Sequence, residues 1–255
     1  MNEVILEFKN IKKEYKKNNH IHKACDDVSF KLYKGECLGI IGESGWGKST
    51  IAKILMKLEN QDSGQIIYEN EDVSYIKGKE LKKYFTNVQM VFQDAYGSFN
   101  PRMTIGSSLL EYICNLCFDK KNDRKKRAVE LLKEVGLSEE HFYRYPNELS
   151  GGQCQRAAIA RALSVHPKVI IFDEATSALD VSVQAVIIQL LNEMKHKHDL
   201  SYIFICHDLG LVSSFCDRTA VMNNGKIVEI DDTYKIMNNP QNEYTKRLLE
   251  FAISK

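Results

Sequence analysis

Gly42-Glu43-Ser44-Gly45-Trp46-Gly47-Lys48-Ser49 fits the pattern G-x-x-x-x-G-K-[ST] in full. Such a loop can wrap a phosphate, because glycines let successive backbone N–H groups converge on its oxygens. Lys48 would reach the outer phosphates of a nucleotide, and Ser49 would offer its hydroxyl to a divalent cation. Trp46 is bulky for a tight loop; directed outward it would be harmless, directed inward it would narrow access. A second set of chemical groups closes Val169-Ile170-Ile171-Phe172-Asp173-Glu174. There two carboxylates end an apolar run: Asp173 suits a metal shell, and Glu174 could polarise an attacking water. A third set is Leu149-Ser150-Gly151-Gly152-Gln153. It places a Ser and two glycines before a helical run, a second device for presenting N–H groups to an anion.

These groups need particular elements behind them. The phosphate loop has to follow a buried strand, and CLGII at 37–41 supplies one; it has to open a helix, and TIAKILMKL has the right periodicity. Further strand signals lie in VILEF, VSFKL at 28–32, QMVF at 89–92, VIIF at 169–172, YIFIC at 202–206, TAVM and KIVEI. The last two flank Asn223-Asn224-Gly225, whose Asn-Gly suits a tight hairpin. Helical periodicity covers 125–136, 153–165, 183–195 and 244–251. Buried strands alternating with helices predict an α/β fold with a mostly parallel sheet, and the early strands and the late hairpin add antiparallel pairing. Strand signals vanish between Gln93 and Ser150, which predicts an inserted helical subdomain over 94–164, with the nucleotide-binding core at 1–93 and 165–255. The basic run at 119–127 reads as a solvated helix start rather than a binding patch.

Bulk composition excludes some classes. The 255 residues carry a net charge of +1, so no global field favours nucleic acid. No apolar run approaches the roughly 20 residues of a membrane helix, and the N-terminal stretch lacks the apolar core of a signal peptide. Membrane contact is therefore expected through another protein. The seven cysteines are scattered, which suggests reduced core thiols. Cys114 and Cys117 form a lone CxxC in a helical stretch and read as core packing rather than a ligand pair.

Along essentially its whole length the sequence resembles the ATP-binding subunits of ABC transporters. The phosphate loop, Gln93 in MVFQD, LSGGQ at 149–153, the Asp173-Glu174 pair, Ser177-Ala178-Leu179-Asp180 and His207 in ICHDLGLV stand in that family's order. The resemblance implies a P-loop ABC ATPase fold that binds ATP and Mg²⁺ between two head-to-tail ATPase subunits. It implies ATP contacts from Gly42 through Thr50 (Glu43, Ser44, Gly45, Trp46, Gly47, Lys48 and Ser49 included), with Tyr15 stacking on adenine. Ser49, Gln93 and Asp173 would hold Mg²⁺, and Glu174, His207, Lys48 and Gln93 would serve hydrolysis. Ser150, Gly151, Gly152, Gln153 and Asp180 would meet the partner's nucleotide. Cys154 stands where the family commonly has a basic or other residue.

QMVFQDAYGSFNPRMTI, the lead GLSEEHFYRYPNELSGGQ and the ending NNPQNEYTKRLLE resemble the peptide and nickel uptake branch. The expected partners are a second ATPase subunit, two membrane permease subunits and, indirectly, an extracellular binding protein, with no nucleic acid. The expected location is the cytoplasmic face of the cell membrane. The short C-terminus and HDLGLVSSFCDRTAVMNNGKIVEI lean towards nickel or a metal chelate over peptides. The alternatives are a non-transport ABC ATPase, such as a translation or repair factor, and a catalytically dead regulatory half. The single domain argues against the first, and intact Lys48, Glu174 and His207 against the second.

Overall fold

The structure is a computed structural model describing residues 3–17, 20–116, 123–177 and 179–253. In chain order, β1 (Val4–Lys17), β2 (His20–Tyr33) and β3 (Cys37–Ile41) lead into α1 (Lys48–Leu55). β4 (Ser63–Tyr68), β5 (Glu71–Asp72), α2 (Gly78–Asn87) and β6 (Val88–Val91) follow. Three helices come next, α3 (Ile105–Leu116), α4 (Arg124–Glu134) and α5 (Gly151–Leu163). Then come β7 (Val169–Asp173), α6 (Val181–Lys197), β8 (Ser201–Ile205) and α7 (Leu209–Phe215). β9 (Arg218–Asn223), β10 (Lys226–Asp232), α8 (Thr233–Asn238) and α9 (Glu243–Ile253) complete the order. The chain divides into two compact units, Met1–Ile76 with Ser201–Lys255, and Lys77–Leu200.

In the first unit, β1 lies antiparallel between β2 and β4, and β4 pairs with β5. β3 runs parallel to both β8 and β9, aligning Cys37 with Tyr202 and Leu38 with Arg218. Every residue of β3 and β8 is buried. That is why both read as unbroken apolar runs rather than alternating ones. β9 turns into β10 at Asn224 (φ 46°) and Gly225 (φ 76°), the double positive φ that the Asn-Gly pair allows cheaply. Gly225 also has to be glycine because a Cβ there would strike the Lys23 carbonyl.

In the second unit β6 and β7 pair in parallel, Val88 with Val169 through Val91 with Phe172. α3, α4 and α5 pack on one another, burying Leu109, Ile113, Leu132, Ala158 and Leu163. A buried cation ties this bundle together. Arg161 of α5 donates to the Ser98 carbonyl at 2.7 Å and to Ser98 Oγ at 2.9 Å. Its guanidinium also lies 4.2 Å from the Phe99 ring centre and 5.2 Å from that of Tyr112.

Several expectations change in detail. β1 and β2 are far longer than VILEF and VSFKL, because past Lys12, where the pairing with β4 ends, they continue as a two-stranded ribbon rich in polar residues. β4, β5 and α2 carried no legible apolar period. Cys114 is exposed rather than core. The buried face of α3 runs through Ile105, Leu109 and Ile113, and the next residue lies about 100° around the helix. Its Sγ accepts from Arg124 Nη1 at 3.0 Å; Cys117 lies outside the described residues. Cys25, Cys37, Cys154, Cys206 and Cys216 are buried and in no disulfide. The basic run lies outside the described residues over 119–122, and from Arg124 it opens α4 with Lys125 and Lys126 exposed.

Candidate functional site

The first unit builds the phosphate loop. Buried β3 ends at Ile41, and the chain turns at Gly42 with φ 146°. Gly47 caps α1 with φ 97°, and a Cβ there would collide with the Ala24 carbonyl of β2. The loop is thus wedged against neighbouring backbone at a point where only glycine fits. Lys48 is buried, and its ammonium donates to the carbonyls of Gly42 at 2.7 Å and Glu43 at 2.9 Å. This closes the loop on itself around a positive charge. Glu43, Ser44 and Gly45 are exposed, while Trp46, Ser49 and Thr50 are half-buried. The helix beginning at Lys48 adds the positive end of its dipole, so loop and helix together favour an anion.

Tyr15 lies beside this loop's helix. Its hydroxyl donates to the Glu59 carboxylate and also bonds the Thr50 side chain. Burial first, then Glu59, push the phenol up to about 12. The Lys13 ammonium sits 5.5 Å from the ring centre. Trp46, whose direction the sequence left open, packs on Tyr244 of α9 with ring centres 5.1 Å apart. His207 is exposed just past the end of β8. Asp208 beside it caps α7, accepting from the Leu211 N–H at 3.1 Å. His207, Asp208 and Gly42 line a cavity of about 410 Å³.

The second unit holds the remaining groups. Asp173 ends β7, and Glu174 follows with φ 49°. A left-handed glutamate costs on the order of 1 kcal/mol, and such strain gathers at functional sites. Gln93 lies just beyond β6, and its Nε2 donates to Ser177 Oγ at 3.3 Å. Ser177 in turn donates to the Glu174 carbonyl, from Oγ at 2.9 Å and from N–H at 3.0 Å. Gln93, Asp173 and Glu174 are therefore brought together, with Ser177 as the link between the glutamine and the strained turn.

LSGGQ is built as a helix start. Ser150 caps α5: its Oγ accepts from the Gln153 N–H at 3.3 Å, and its own N–H donates to Gln153 Oε1 at 2.9 Å. A reciprocal pair of this kind fixes where a helix begins. Gly152 needs to be small, because a Cβ there would stand 2.8 Å from Val183 Cγ1 of α6. Ser150, Gly151, Gly152, Gln153 and Asp180 line one cavity of about 500 Å³ with Arg156. Two sequence motifs, LSGGQ and the segment ending at Asp180, thus share one concavity; Ala178 lies outside the described residues. Arg156 and His141, also on its wall, were not singled out from sequence. Arg156 sits two residues past Cys154 on the same helix, and a basic residue just inside a candidate anion site was the available signal. Cys154 itself is buried, and burial pushes its thiol up to about 11.

A glycine-wedged phosphate loop with its buried lysine, opening a helix off a buried parallel strand, defines a P-loop nucleotide-binding protein. The family model described as ABC transporter matches residues 25–177. The chain is 44% identical over 251 residues to the oligopeptide transport ATP-binding protein OppF of Bacillus subtilis (strain 168), covering 98% of this chain and 82% of that one. It is 43% identical over 249 residues to the dipeptide transport ATP-binding protein DppF of Lactococcus lactis subsp. cremoris (strain MG1363), covering 96% and 80%. A solved dimeric ATP-binding cassette in a post-hydrolysis state with ADP and Pi superposes with a TM-score of 0.81 at 31% identity, covering 90% of this chain and 99% of that one. The chain belongs to the ABC transporter family. It has that family's ATPase fold and is the kind of subunit that hydrolyses ATP to drive transport.

Proposed function

We propose that this chain is the ATP-hydrolysing subunit of a peptide importer, working as one half of a head-to-tail ATPase pair. The observation that carries the cargo class is the similarity to oligopeptide and dipeptide proteins over nearly the whole chain. The lean towards nickel, drawn from the short C-terminus and the HDLGLVSSFCDRTAVMNNGKIVEI stretch, finds no support in those relatives, and their transport names do not favour a translation or repair factor. Two membrane permease subunits would receive the pair at the cytoplasmic face of the cell membrane, and an extracellular binding protein would deliver the peptide. Among the described residues no helix is long and apolar enough to cross a membrane.

On this reading the nucleotide-binding core is 1–93 with 165–255, and 94–164 is the helical subdomain. Residues 42–50 grip the phosphates of ATP, and Tyr15 offers its ring to adenine. Lys48 exchanges its two loop carbonyls for phosphate oxygens. Mg²⁺ would fall to Ser49, Gln93 and Asp173, whose hydroxyl, amide and carboxylate oxygens are the hard donors that ion takes. When bound it neutralises phosphate charge. Glu174 accepts a proton from the attacking water, and Gln93, held through Ser177, orients that water. His207 donates to the γ-phosphate. Ser150, Gly151, Gly152 and Gln153, at the positive end of α5, face the nucleotide gripped by the partner, and Asp180 links the two sites. ATP then joins the pair, and hydrolysis releases it.

Cells carrying the native chain or Glu174→Gln, given labelled dipeptide and radioactive nickel in parallel, test the cargo. Loss of dipeptide uptake alone supports the reading. Loss of nickel uptake alone replaces peptide by metal, and no loss of either removes both.

A further inference from the structure

Trp46, the only tryptophan of the chain, stands between Gly45 (φ 86°) and Gly47 (φ 97°). Glycines in this conformation pivot freely, so local backbone preference alone does not fix the peptide between them. Besides the Lys48 bonds within the loop and the close approach of Gly47 to β2, a further restraint comes from α9. The Trp46 ring lies against the Tyr244 ring, with centres 5.1 Å apart and planes tilted by 51°. Tyr244 is itself anchored. Its N–H donates to Asn242 Oδ1 at 2.9 Å. The N–H groups of Gln241 and Asn242 donate to the Glu229 carboxylate of β10 at 2.7 and 3.1 Å. A connected route thus runs from β10, through the start of α9, to the middle of the phosphate loop. On the same face of α9, about one and two turns further on, Leu248 and Phe251 line the cavity that holds Gly42 and His207. α9 therefore packs on the loop at Trp46 and shares a cavity wall with Gly42 and His207.

We propose that Tyr244 is a positioning residue for ATP binding: acting through Trp46, it holds the phosphate loop in its gripping geometry. The inference deepens the proposed function and rests on ATP occupying residues 42–50. A loop ordered beforehand loses less conformational freedom when its ligand arrives, so the anchor raises affinity without touching the nucleotide. Aromatic pairs at this spacing carry enough energy to change a dissociation constant about 2- to 12-fold. A contact that only packs α9 would instead lower thermal stability and leave ATP affinity alone.

The test uses the full chain with ATP and Mg²⁺. Binding is measured by equilibrium dialysis with radiolabelled ATP and by Trp46 emission, which is unambiguous because the chain has no other tryptophan. Native protein should bind with a change in emission, and Tyr244→Ala should bind about 2- to 12-fold more weakly. Tyr244→Phe, which keeps the ring, should stay within about twofold of native. In the assembled transporter Tyr244→Ala should raise the KM for ATP by the same factor while kcat stays within about twofold. Tyr244→Leu answers the same question should the alanine variant fail to fold, because it keeps α9 apolar there. Unchanged affinity in the alanine or leucine variant overturns the proposal, and so does equal weakening in the phenylalanine variant. Native protein that binds no ATP by dialysis would instead overturn the phosphate-loop reading on which it rests.

Discussion

Replacing Gly47 by alanine separates two costs that the phosphate loop imposes. The first is conformational: φ is 97° at Gly47 and 86° at Gly45, and a side chain in that half of the map costs about 1–2 kcal/mol. The second is steric and belongs to Gly47 alone. A Cβ there would lie 2.9 Å from the Ala24 carbonyl carbon, closer still to its oxygen, and 2.8 Å from Met222 Cε. At Gly45 nothing comes within 4 Å. The methionine end can swing away, but the Ala24 carbonyl belongs to β2, so strand or loop has to shift. Overpacking of that kind costs about 1–3 kcal/mol more. Gly45→Ala should therefore lower Tm by about 2–8 °C, and Gly47→Ala by about a further 2–12 °C, at the roughly 2–4 °C per kcal/mol expected for a chain of this size. Scanning calorimetry without nucleotide gives both numbers. Equal shifts would refute the claim that the loop is wedged against β2.

Other outcomes follow from the same geometry. Glu174→Gln should keep ATP binding in the assembled transporter while turnover falls about 10²- to 10⁴-fold, as expected for loss of a general base; unchanged hydrolysis removes Glu174 from that role. Arg161→Met should cost about 2–4 kcal/mol in denaturant unfolding, because the Ser98 carbonyl loses its buried charged donor. A loss under about 0.5 kcal/mol would show that the cation is idle. Lys57 is held down to about 8, first by burial. The folded chain thus sheds that proton before the unfolded chain does, and between pH 8 and the ordinary value of 10.5 this residue's contribution to stability rises with pH. Lys57→Met should be more stable than native by about 1–3 kcal/mol at pH 7, the gap closing towards pH 10; a gap independent of pH contradicts the assignment. Brief thiol labelling of folded protein, read by peptide mapping, should mark Cys114 ahead of Cys25, Cys37, Cys154, Cys206 and Cys216. Equal labelling of the buried five would contradict their burial.

The parts of the fold that read clearly from sequence were those buried on both faces. CLGII, VIIF and YIFIC are continuous apolar runs, and they became β3, β7 and β8 within a residue at each end. Asn224-Gly225 named its own turn through backbone chemistry. The ribbon strands β1 and β2 were legible only at their apolar ends, since their outer residues alternate too irregularly to signal a strand. The site was legible as motifs, because glycine spacing and paired carboxylates reflect local backbone demands. Its supports were not. The Gln93–Ser177 bond and Tyr244 beneath Trp46 join residues far apart in sequence, and nothing in the residue types marks Glu174 as left-handed. Trp46 shows the limit well: its type was visible, but its partner lies nearly two hundred residues away on an ordinary amphipathic helix. Cys114 failed for a simpler reason, since helical periodicity gives a face but not which face is covered.

Hydrolysis and peptide uptake measured together, in proteoliposomes holding the complete transporter, show whether this chain drives peptide import. Native chain should link the two, each rising with supplied peptide, and Glu174→Gln should lower both at least about 10²-fold while ATP stays bound. Peptide uptake that continues when hydrolysis is lost, or hydrolysis at the native rate in Glu174→Gln, would contradict that coupling.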